Sequence, residues 1–383
     1  MLKFSIIVIL VLCAYASGQE KLASKTKETL HTAPTFEVKF EPADPKLETS
    51  FQEDDNTTIT SDGCDDRGNP YVQVHRVIPP GSDDVFRFSE KGIVTFQTNK
   101  ISDIVEPKWI ADFASNSELY MLIEGDTRTE QHNTKNADGH DVVYWESKGE
   151  PRYYIVRFDA DGSYKGALKL DLPFSPKQLS GFASGNFLVA GIDAGFVLHL
   201  ALLDPSGQLV RNIEFAKNTE FVKEEQGAAE KTVMRSSDEE SPEVAGWMRY
   251  SWISFLPHQN DVLYVRGRTG APIHEINPGG EAHPVKIKSP EGYSVDHMIP
   301  SDRNWFVVFA ESGKDVPARS VVDELSPSSG ELLAHYLVEE AEQTKEFAGG
   351  QSDLACFHEG EFVSVYRQAG KFTVLHGTPT RAK

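Results

Sequence analysis

A turn pattern that recurs along the 383-residue chain constrains its fold more than any other feature. Each copy is an apolar residue, then Asp, Asn or Ser, then two turn formers and Gly; copies lie at 88–92, 158–162, 203–207 and 276–280, with a longer one at 325–330. Type I turns favour Asp, Asn or Ser at the first position, and Gly accepts the positive φ that closes a hairpin. Strand-like runs flank the copies, so each one predicts a β-hairpin.

A second repeated element lies upstream of these hairpins, as in FASNSELYML at 113–122 and FASGNFLVAG at 182–191. It reads as a short strand, a turn rich in Ser, Asn, Gly or Asp, and an apolar strand. Together with the hairpin it makes a unit of four antiparallel strands. Six versions of the element begin at Gly63, Trp109, Gln178, Trp252, His297 and Leu354. Repeated four-stranded units that bury their faces against one another predict an all-β, six-bladed β-propeller.

The last unit supplies only three strands before the chain ends. The segment TFEVKFEP, 35–42, alternates apolar and polar residues and belongs to no other unit. It therefore predicts the missing fourth strand of the last blade, which would close the ring across the two ends of the chain.

The hairpins RFDADGSYKG and ALLDPSGQLVRNI, together with their spacing, resemble those of the secreted bacterial six-bladed β-propellers, loosely of NHL type. The resemblance covers most of the chain after Thr35 and implies the fold. It implies no single function, because propellers include enzymes, binding proteins and scaffolds. The Tyr-Trp-Thr-Asp repeat, the Trp-Asp repeat and the sialidase Asp box are not matched, and the metal ligands of propeller lactonases cannot be placed on this chain.

The first residues, MLKFSIIVILVLCAYASGQ, have a basic start, an apolar run and small residues in an A-x-A cleavage pattern. They predict a signal peptide at 1–18, followed by a linker at 19–34 and the propeller at 35–383. A transmembrane anchor needs about 20 apolar residues, more than this run contains. A lipoprotein signal at Cys13 is the other alternative. The sequence thus predicts a secreted or periplasmic protein without a membrane span.

The formal net charge is -20, from 38 basic and 58 acidic residues. This charge argues against nucleic acid and anionic lipid surfaces as partners, since both bind basic faces. An unknown small anionic or glycan ligand, or a protein partner, remains open.

Cys64 and Cys356 are the two cysteines that remain after the predicted signal peptide. In an oxidising compartment they predict a disulfide, with two reduced thiols as the alternative. They occupy matching points on the innermost strands of the first and sixth blades, which are neighbours in a closed ring. The bond should line the channel and clamp the ring, stabilising it by about 4–5 kcal/mol in the chain-entropy model.

Motifs for catalysis and cofactors are missing from the sequence. It has no HExxH, no GxSxG and no paired CxxC, and FDADGSYKG is too short for a calcium loop, so we read it as a hairpin turn. His132 and His140 share a loop with two aspartates, which could bind a metal, but a solvated polar loop is the favoured interpretation. The sequence therefore predicts no cofactor and no metal site, and leaves any catalytic residue unknown.

Two insertions, at 125–152 and 216–249, belong to loop types that emerge on one rim of the ring. Binding elements concentrate in long loops on rigid scaffolds. Arginines at the ends of second strands lie on the same rim and could hold a carboxylate, phosphate or sugar acid, although ion pairing with acidic neighbours is the favoured alternative. The candidate ligand-binding residues are Arg76, Arg266, Arg268, Arg367, His132, His140 and Trp145.

The leading functional hypothesis is a ligand-binding or protein-interaction module. The alternative is a hydrolase or lyase, of the lactonase or glycan-lyase kind, with its site at the mouth of the axial channel. A third hypothesis is a structural partner in an envelope complex, which predicts a large exposed apolar patch.

The signal-peptide hypothesis predicts that the mature chain begins near Ser17 or Gln19. N-terminal sequencing of the native protein measures this directly. A chain that still begins at Leu2 or Lys3 would contradict the hypothesis.

Overall fold

The computed structural model describes residues 33–43, 49–50, 57–76, 83–115, 118–135, 141–194, 198–213, 254–258, 261–266, 273–285, 287, 290, 293–311, 321–338, 351–368 and 370–382. The predicted signal peptide, nearly all of the linker and the insertion at 216–249 lie outside these ranges. Within them the regular structure is β-strand, apart from a 3₁₀ turn at Thr98–Lys100. No helix in the described ranges is long and apolar enough to cross a membrane.

The strands are numbered in chain order. The first fourteen are β1 (Thr35–Pro42), β2 (Thr49–Ser50), β3 (Thr57–Cys64), β4 (Pro70–Arg76), β5 (Asp84–Ser89), β6 (Gly92–Gln97), β7 (Lys108–Ser115), β8 (Glu118–Gly125), β9 (Arg128–Lys135), β10 (Asp141–Lys148), β11 (Arg152–Phe158), β12 (Tyr164–Leu170), β13 (Ser175–Gly181) and β14 (Phe187–Ile192). The others are β15 (Leu198–Leu203), β16 (Leu209–Asn212), β17 (Ser254–His258), β18 (Val262–Arg266), β19 (Ile273–Ile276), β20 (Ala282–Val285), β21 (Tyr293–Ile299), β22 (Trp305–Glu311), β23 (Val321–Leu325), β24 (Leu332–Val338), β25 (Gln351–His358), β26 (Glu361–Gln368) and β27 (Lys371–Arg381).

Four sheets have the predicted form of four antiparallel strands. Their orders are β3-β4-β5-β6, β7-β8-β11-β12, β13-β14-β15-β16 and β17-β18-β19-β20. In β3, β7 and β13, and again in β21 and β25 of the larger sheet, a bulge shifts the register between the first strand of a unit and the second. This shared irregularity shows that the units repeat in structure as well as in sequence.

The prediction of six separate sheets is not met, because the remaining units form one nine-stranded sheet. Its order is β21-β22-β23-β24-β1-β27-β26-β25, with β2 also paired to β27. β1 pairs antiparallel with β27, which confirms that the N-terminal strand joins the last unit. The other edge of β1 pairs parallel with β24, from Thr35 opposite His335 to Val38 opposite Val338. A strand has two hydrogen-bonding edges, and both edges of β1 are used.

The repeated turn pattern closes hairpins as predicted. In the copy at 158–162, the Gly162 amide donates to the Asp159 carbonyl at 2.9 Å, and Gly162 has a φ of +83°. The copies ending at Gly207 and Gly280 make the same bond, at 2.9 and 2.8 Å. The segment that superficially matches a calcium loop is therefore a hairpin turn, as its sister copies indicated.

Apolar clusters lie between successive units and hold them together. One cluster joins β4, β5 and β6 to β8 and β11, and the next joins β8 and β11 to β14 and β15. Others continue from β14 and β15 to β18 and β19, from there to β21–β23, and from β22–β24 to β25 and β26. A further cluster packs β26 and β27 against β4 and β5, which brings the last unit back to the first. The protein is thus an all-β propeller.

The predicted disulfide joins Cys64 of β3 to Cys356 of β25. The Cα atoms are 5.8 Å apart and the residues are separated by 292 positions, so the bond links the two ends of the ring. Cys356 is only 3% exposed and belongs to the apolar cluster between the first and last units. Cys64 is half-buried against the same cluster. The position of the bond on the channel wall stays a prediction.

Removal of this bond should destabilise the ring, because a closed loop of this length limits the entropy of the unfolded chain. We expect the double variant Cys64→Ala, Cys356→Ala to lose about 2–5 kcal/mol in the free energy of unfolding, measured with urea. Reducing agent should destabilise the wild type and leave the double variant unchanged. Two free thiols in unreduced, denatured mature protein would show that the bond is absent.

Candidate functional site

The predicted arginines occupy equivalent ends of second strands. β4 ends at Arg76, β18 ends at Arg266, and Arg367 is the last residue but one of β26. The side chain of Arg367 is half-buried. The side chains of Arg76 and Arg266, and the whole of Arg268, lie outside the described part of the chain. Their convergence on a ligand therefore stays a prediction.

The insertion at 125–152 contains a two-stranded antiparallel ribbon made of β9 and β10. His132 lies in β9 with a third of its side chain exposed, and its Nε2 is 3.9 Å from the Glu130 carboxylate. Trp145 pairs in register with Gln131, and its side chain is not described. His140 lies outside the described residues. The ribbon thus has a defined backbone, while its role in binding remains a prediction.

A histidine–aspartate pair lies at the same end of the first sheet. His75 is the last residue but one of β4, and its Nδ1 is 2.7 Å from Oδ1 of Asp83. The His75 side chain is 36% exposed, whereas that of Asp83 is 3% exposed. The carboxylate is therefore an internal anchor, and the imidazole extends from it towards solvent.

Hydrogen bonds to the backbone of Asp83 and to its carboxylate hold this residue in place. Its amide donates to Oγ1 of Thr98 at 3.1 Å, and that hydroxyl donates to the Asp83 carbonyl at 3.2 Å. Thr98 is fully buried. The second carboxylate oxygen of Asp83 accepts from the amide of Trp109 at 3.4 Å, which links the first sheet to the second. These contacts fix the position of the carboxylate before any ligand arrives.

Trp109 completes the group from the first strand of the second sheet. The His75 and Trp109 rings have centroids 5.5 Å apart and are tilted by 47°. Further along the contact between β4 and β7, Gln73 donates to Asp112. We call His75, Asp83 and Trp109 the rim site.

The pKa of His75 is raised above its ordinary value. The hydrogen bond to Asp83 is the main cause, burial opposes it, and the charge of Asp83 adds to it. The imidazole consequently takes up a proton at a higher pH than a free histidine does.

The base of the ribbon is anchored beside the rim site. Asp126 accepts from the Tyr154 hydroxyl at 2.5 Å and from Arg152 at 3.4 Å, and its amide donates to Val105 at 2.9 Å. Lys108, next to Trp109 in the chain, donates from Nζ to Oγ1 of Thr127 at 3.3 Å. The ribbon therefore rises from a fixed base at one side of the rim site.

The donor set of the rim site suits hydrogen bonding and general acid–base chemistry. It offers one imidazole whose Nδ1 is already occupied, with a half-buried indole beside it. In the described part of the chain, no group of three or more His, Cys, Asp or Glu side chains is arranged to hold a metal ion.

Sequence reasoning missed the rim site. One signal was present in PYVQVHR, where valines alternate with Tyr71, Gln73 and His75. The valines at 72 and 74 pack towards the last unit, in a cluster with β26 and β27. The polar alternate positions therefore face the second sheet. This pattern predicts one polar face on β4, but it does not identify Asp83 and Trp109 as the residues that contact His75.

Comparisons with known proteins give no family. No protein-family model matches the chain, and no curated protein matches it. Among solved structures it is similar to virginiamycin B lyase from Staphylococcus aureus, at 14% identity and a TM-score of 0.38, over 88% of this chain and 99% of that one. It is also similar to a protein of unknown function from Dyadobacter fermentans, at 10% identity and a TM-score of 0.44, over 90% of this chain and 99% of that one. Similarity this low carries no argument about function.

Loss of the Tyr154 hydroxyl should loosen the ribbon. We expect Tyr154→Phe to cost about 1 kcal/mol and to speed hydrogen exchange in β9 and β10. The bond to Tyr154 is the main cause of the lowered pKa of Asp126. A lowered folded-state pKa means that this stabilisation is complete above the pKa of an unfolded aspartate, about 3.9, and is lost as the pH falls further. The difference between variant and wild type should therefore shrink below about pH 4.

Tyr336→Phe is the matched control, because it removes another tyrosine–carboxylate hydrogen bond, to Glu324 at 2.6 Å, in the larger sheet away from the ribbon. It should leave exchange in β9 and β10 unchanged. Equal exchange in the ribbon for both variants would show that Asp126 does not anchor it.

Proposed function

We propose that the protein is a secreted or periplasmic six-bladed propeller that binds a saccharide, neutral or acidic, at the rim site. The observation that carries this proposal is the fixed His75–Asp83 pair beside Trp109, at the end of a strand and next to the base of the β9–β10 ribbon. Ligand-binding sites typically combine aromatic surface with a few polar groups that are held in place before binding.

The six-bladed interpretation divides the nine-stranded sheet at the parallel pairing of β1 with β24. One half is then β21-β22-β23-β24, and the other is β25-β26-β27-β1. Each half has the antiparallel order of the four separate sheets. The apolar clusters between successive units also support this division, since each joins one unit to the next.

The disulfide supports the proposed location. A bond between Cys64 and Cys356 forms and persists in oxidising compartments, such as the periplasm or the outside of the cell. This agrees with the signal peptide predicted from the N-terminal sequence.

An enzyme of the hydrolase or lyase kind is the second candidate, and the same histidine favours it. A carboxylate that orients an imidazole through Nδ1 is the arrangement found where histidine acts as a general base. The sequence contains no HExxH, GxSxG or paired CxxC motif, so binding without turnover is the leading proposal.

A structural partner role has less support. The large apolar side chains that are well exposed among the described residues fall into small groups: Val105; Leu209 and Val210 of β16; and Val321 of β23 with Leu333 and Leu337 of β24. This distribution does not amount to the large single patch that a purely structural partner would need.

Binding can be tested on immobilised hexasaccharides, both neutral (cello-, xylo- and manno-) and acidic (galacturonic acid). We expect the wild type to bind at least one of them and His75→Ala to lower that affinity at least tenfold. His376→Ala is the matched control, because His376 is an exposed histidine paired with a carboxylate, Glu361 at 3.1 Å, elsewhere on the ring. The control should bind as the wild type does.

Absence of binding by the wild type to every saccharide would overturn the proposal of a saccharide or sugar-acid ligand. Binding that survives His75→Ala would place the ligand site elsewhere. Cleavage of a bound hexasaccharide by the wild type, abolished in His75→Ala, would favour the enzyme.

A further inference from the structure

The contact between His75 and Asp83 fixes which ring nitrogen carries hydrogen in the neutral imidazole. A carboxylate only accepts hydrogen bonds, so the 2.7 Å contact requires a hydrogen on Nδ1. Neutral imidazole carries one N–H, and Nε2 then has a lone pair. Among the described residues no group bonds Nε2. In its neutral form, the rim site therefore presents a hydrogen-bond acceptor.

The charge around His75 is nearly balanced. When the imidazole is protonated, Asp83 beside it carries the opposite charge. Among the described side chains nearby, Arg152 pairs with Asp126. Lys108 keeps its positive charge while it donates to Thr127, and Asp112, which accepts from Gln73, carries the opposite charge. A carboxylate or phosphate ligand would thus gain little net attraction from these groups.

We infer that the rim site binds a neutral saccharide, with a sugar hydroxyl donating its hydrogen to Nε2 of neutral His75 and the pyranose ring lying beside Trp109. This inference rests on the proposed function, which places the ligand at the rim site, and it selects one ligand class from those left open by the sequence. Sugar rings have apolar C–H faces and hydroxyl edges, so they match an indole next to a single directed acceptor.

Protonation of His75 removes the lone pair, so affinity should rise with pH through the titration of this residue. The Asp83 hydrogen bond raises that pKa, which moves the change in affinity to higher pH than for a free histidine. Among the described side chains, Asp83, which precedes β5, bonds His75. The facing strand β7 carries Lys108, which donates to Thr127, and Asp112, which accepts from Gln73. Opposite His75 on β3 stands Thr58, which is uncharged.

Asp83→Asn tests the acceptor directly. The amide of the introduced side chain can donate to Nδ1, which places the hydrogen on Nε2 and turns the acceptor into a donor while keeping the contact. We expect at least a tenfold loss of affinity for the neutral hexasaccharide that binds best, and no rise in affinity with pH. His75→Gln keeps an acceptor oxygen and should retain more affinity than His75→Ala.

Asp84→Asn is the matched control. It removes the same charge one residue away, where the carboxylate accepts from Gln97 at 3.1 Å. This variant should bind as the wild type does. Loss of affinity in both variants would indicate a general charge effect and would overturn the inference.

Nitrogen-15 NMR of the imidazole provides a readout that needs no ligand. The wild type above the pKa of His75 should show hydrogen on Nδ1, and Asp83→Asn should show it on Nε2. A wild-type spectrum with hydrogen on Nε2 would overturn the inference, whatever the protein binds.

The outcomes separate the two proposals. If no saccharide binds, or if His75→Ala leaves the affinity unchanged, the proposed function fails. If binding requires His75 but favours the galacturonic acid hexasaccharide, weakens as the pH rises, or survives Asp83→Asn, the proposed function stands. Only the inference of a neutral saccharide then fails.

Discussion

Burial of each sheet face against the next unit is the interaction on which the rest of this structure depends. A four-stranded sheet alone exposes two apolar faces, and only neighbours on both sides can cover them. The cluster that packs β26 and β27 against β4 and β5 is where the last unit meets the first, so it closes the series. The bond between Cys64 and Cys356 strengthens the ring at the same place, and the pairing of β1 with β27 completes the last unit.

This closure also positions the rim site. Val72 and Val74 of β4 pack in the cluster with the last unit. Because side chains alternate along a strand, Gln73 and His75 face the second sheet. Asp83 and Trp109 then bridge the first and second sheets through one carboxylate. The site is therefore built from two units, and its rigidity depends on their packing as well as on local hydrogen bonds.

Much of the scaffold could be predicted because its signals are local or come in matching copies. Each hairpin turn needs Gly at a fixed offset, as at Gly162 and Gly207, and these glycines do adopt positive φ. The disulfide followed from two cysteines at matching points of the repeat. The parallel pairing of β1 with β24 could not be predicted in this way, since it depends on how far the outer edges of two units approach each other.

The sequence by itself determined the strand units, their turns, the closing strand and the cysteine pair, because periodic patterns and turn residues act over a few positions. Only the tertiary structure decided that His75 meets Asp83 and Trp109, and that the insertion at 125–152 contains a ribbon rooted at Asp126. The physical reason is that these contacts join residues from different strands and sheets. Their distances are set by packing across the ring, which no local pattern in the chain records.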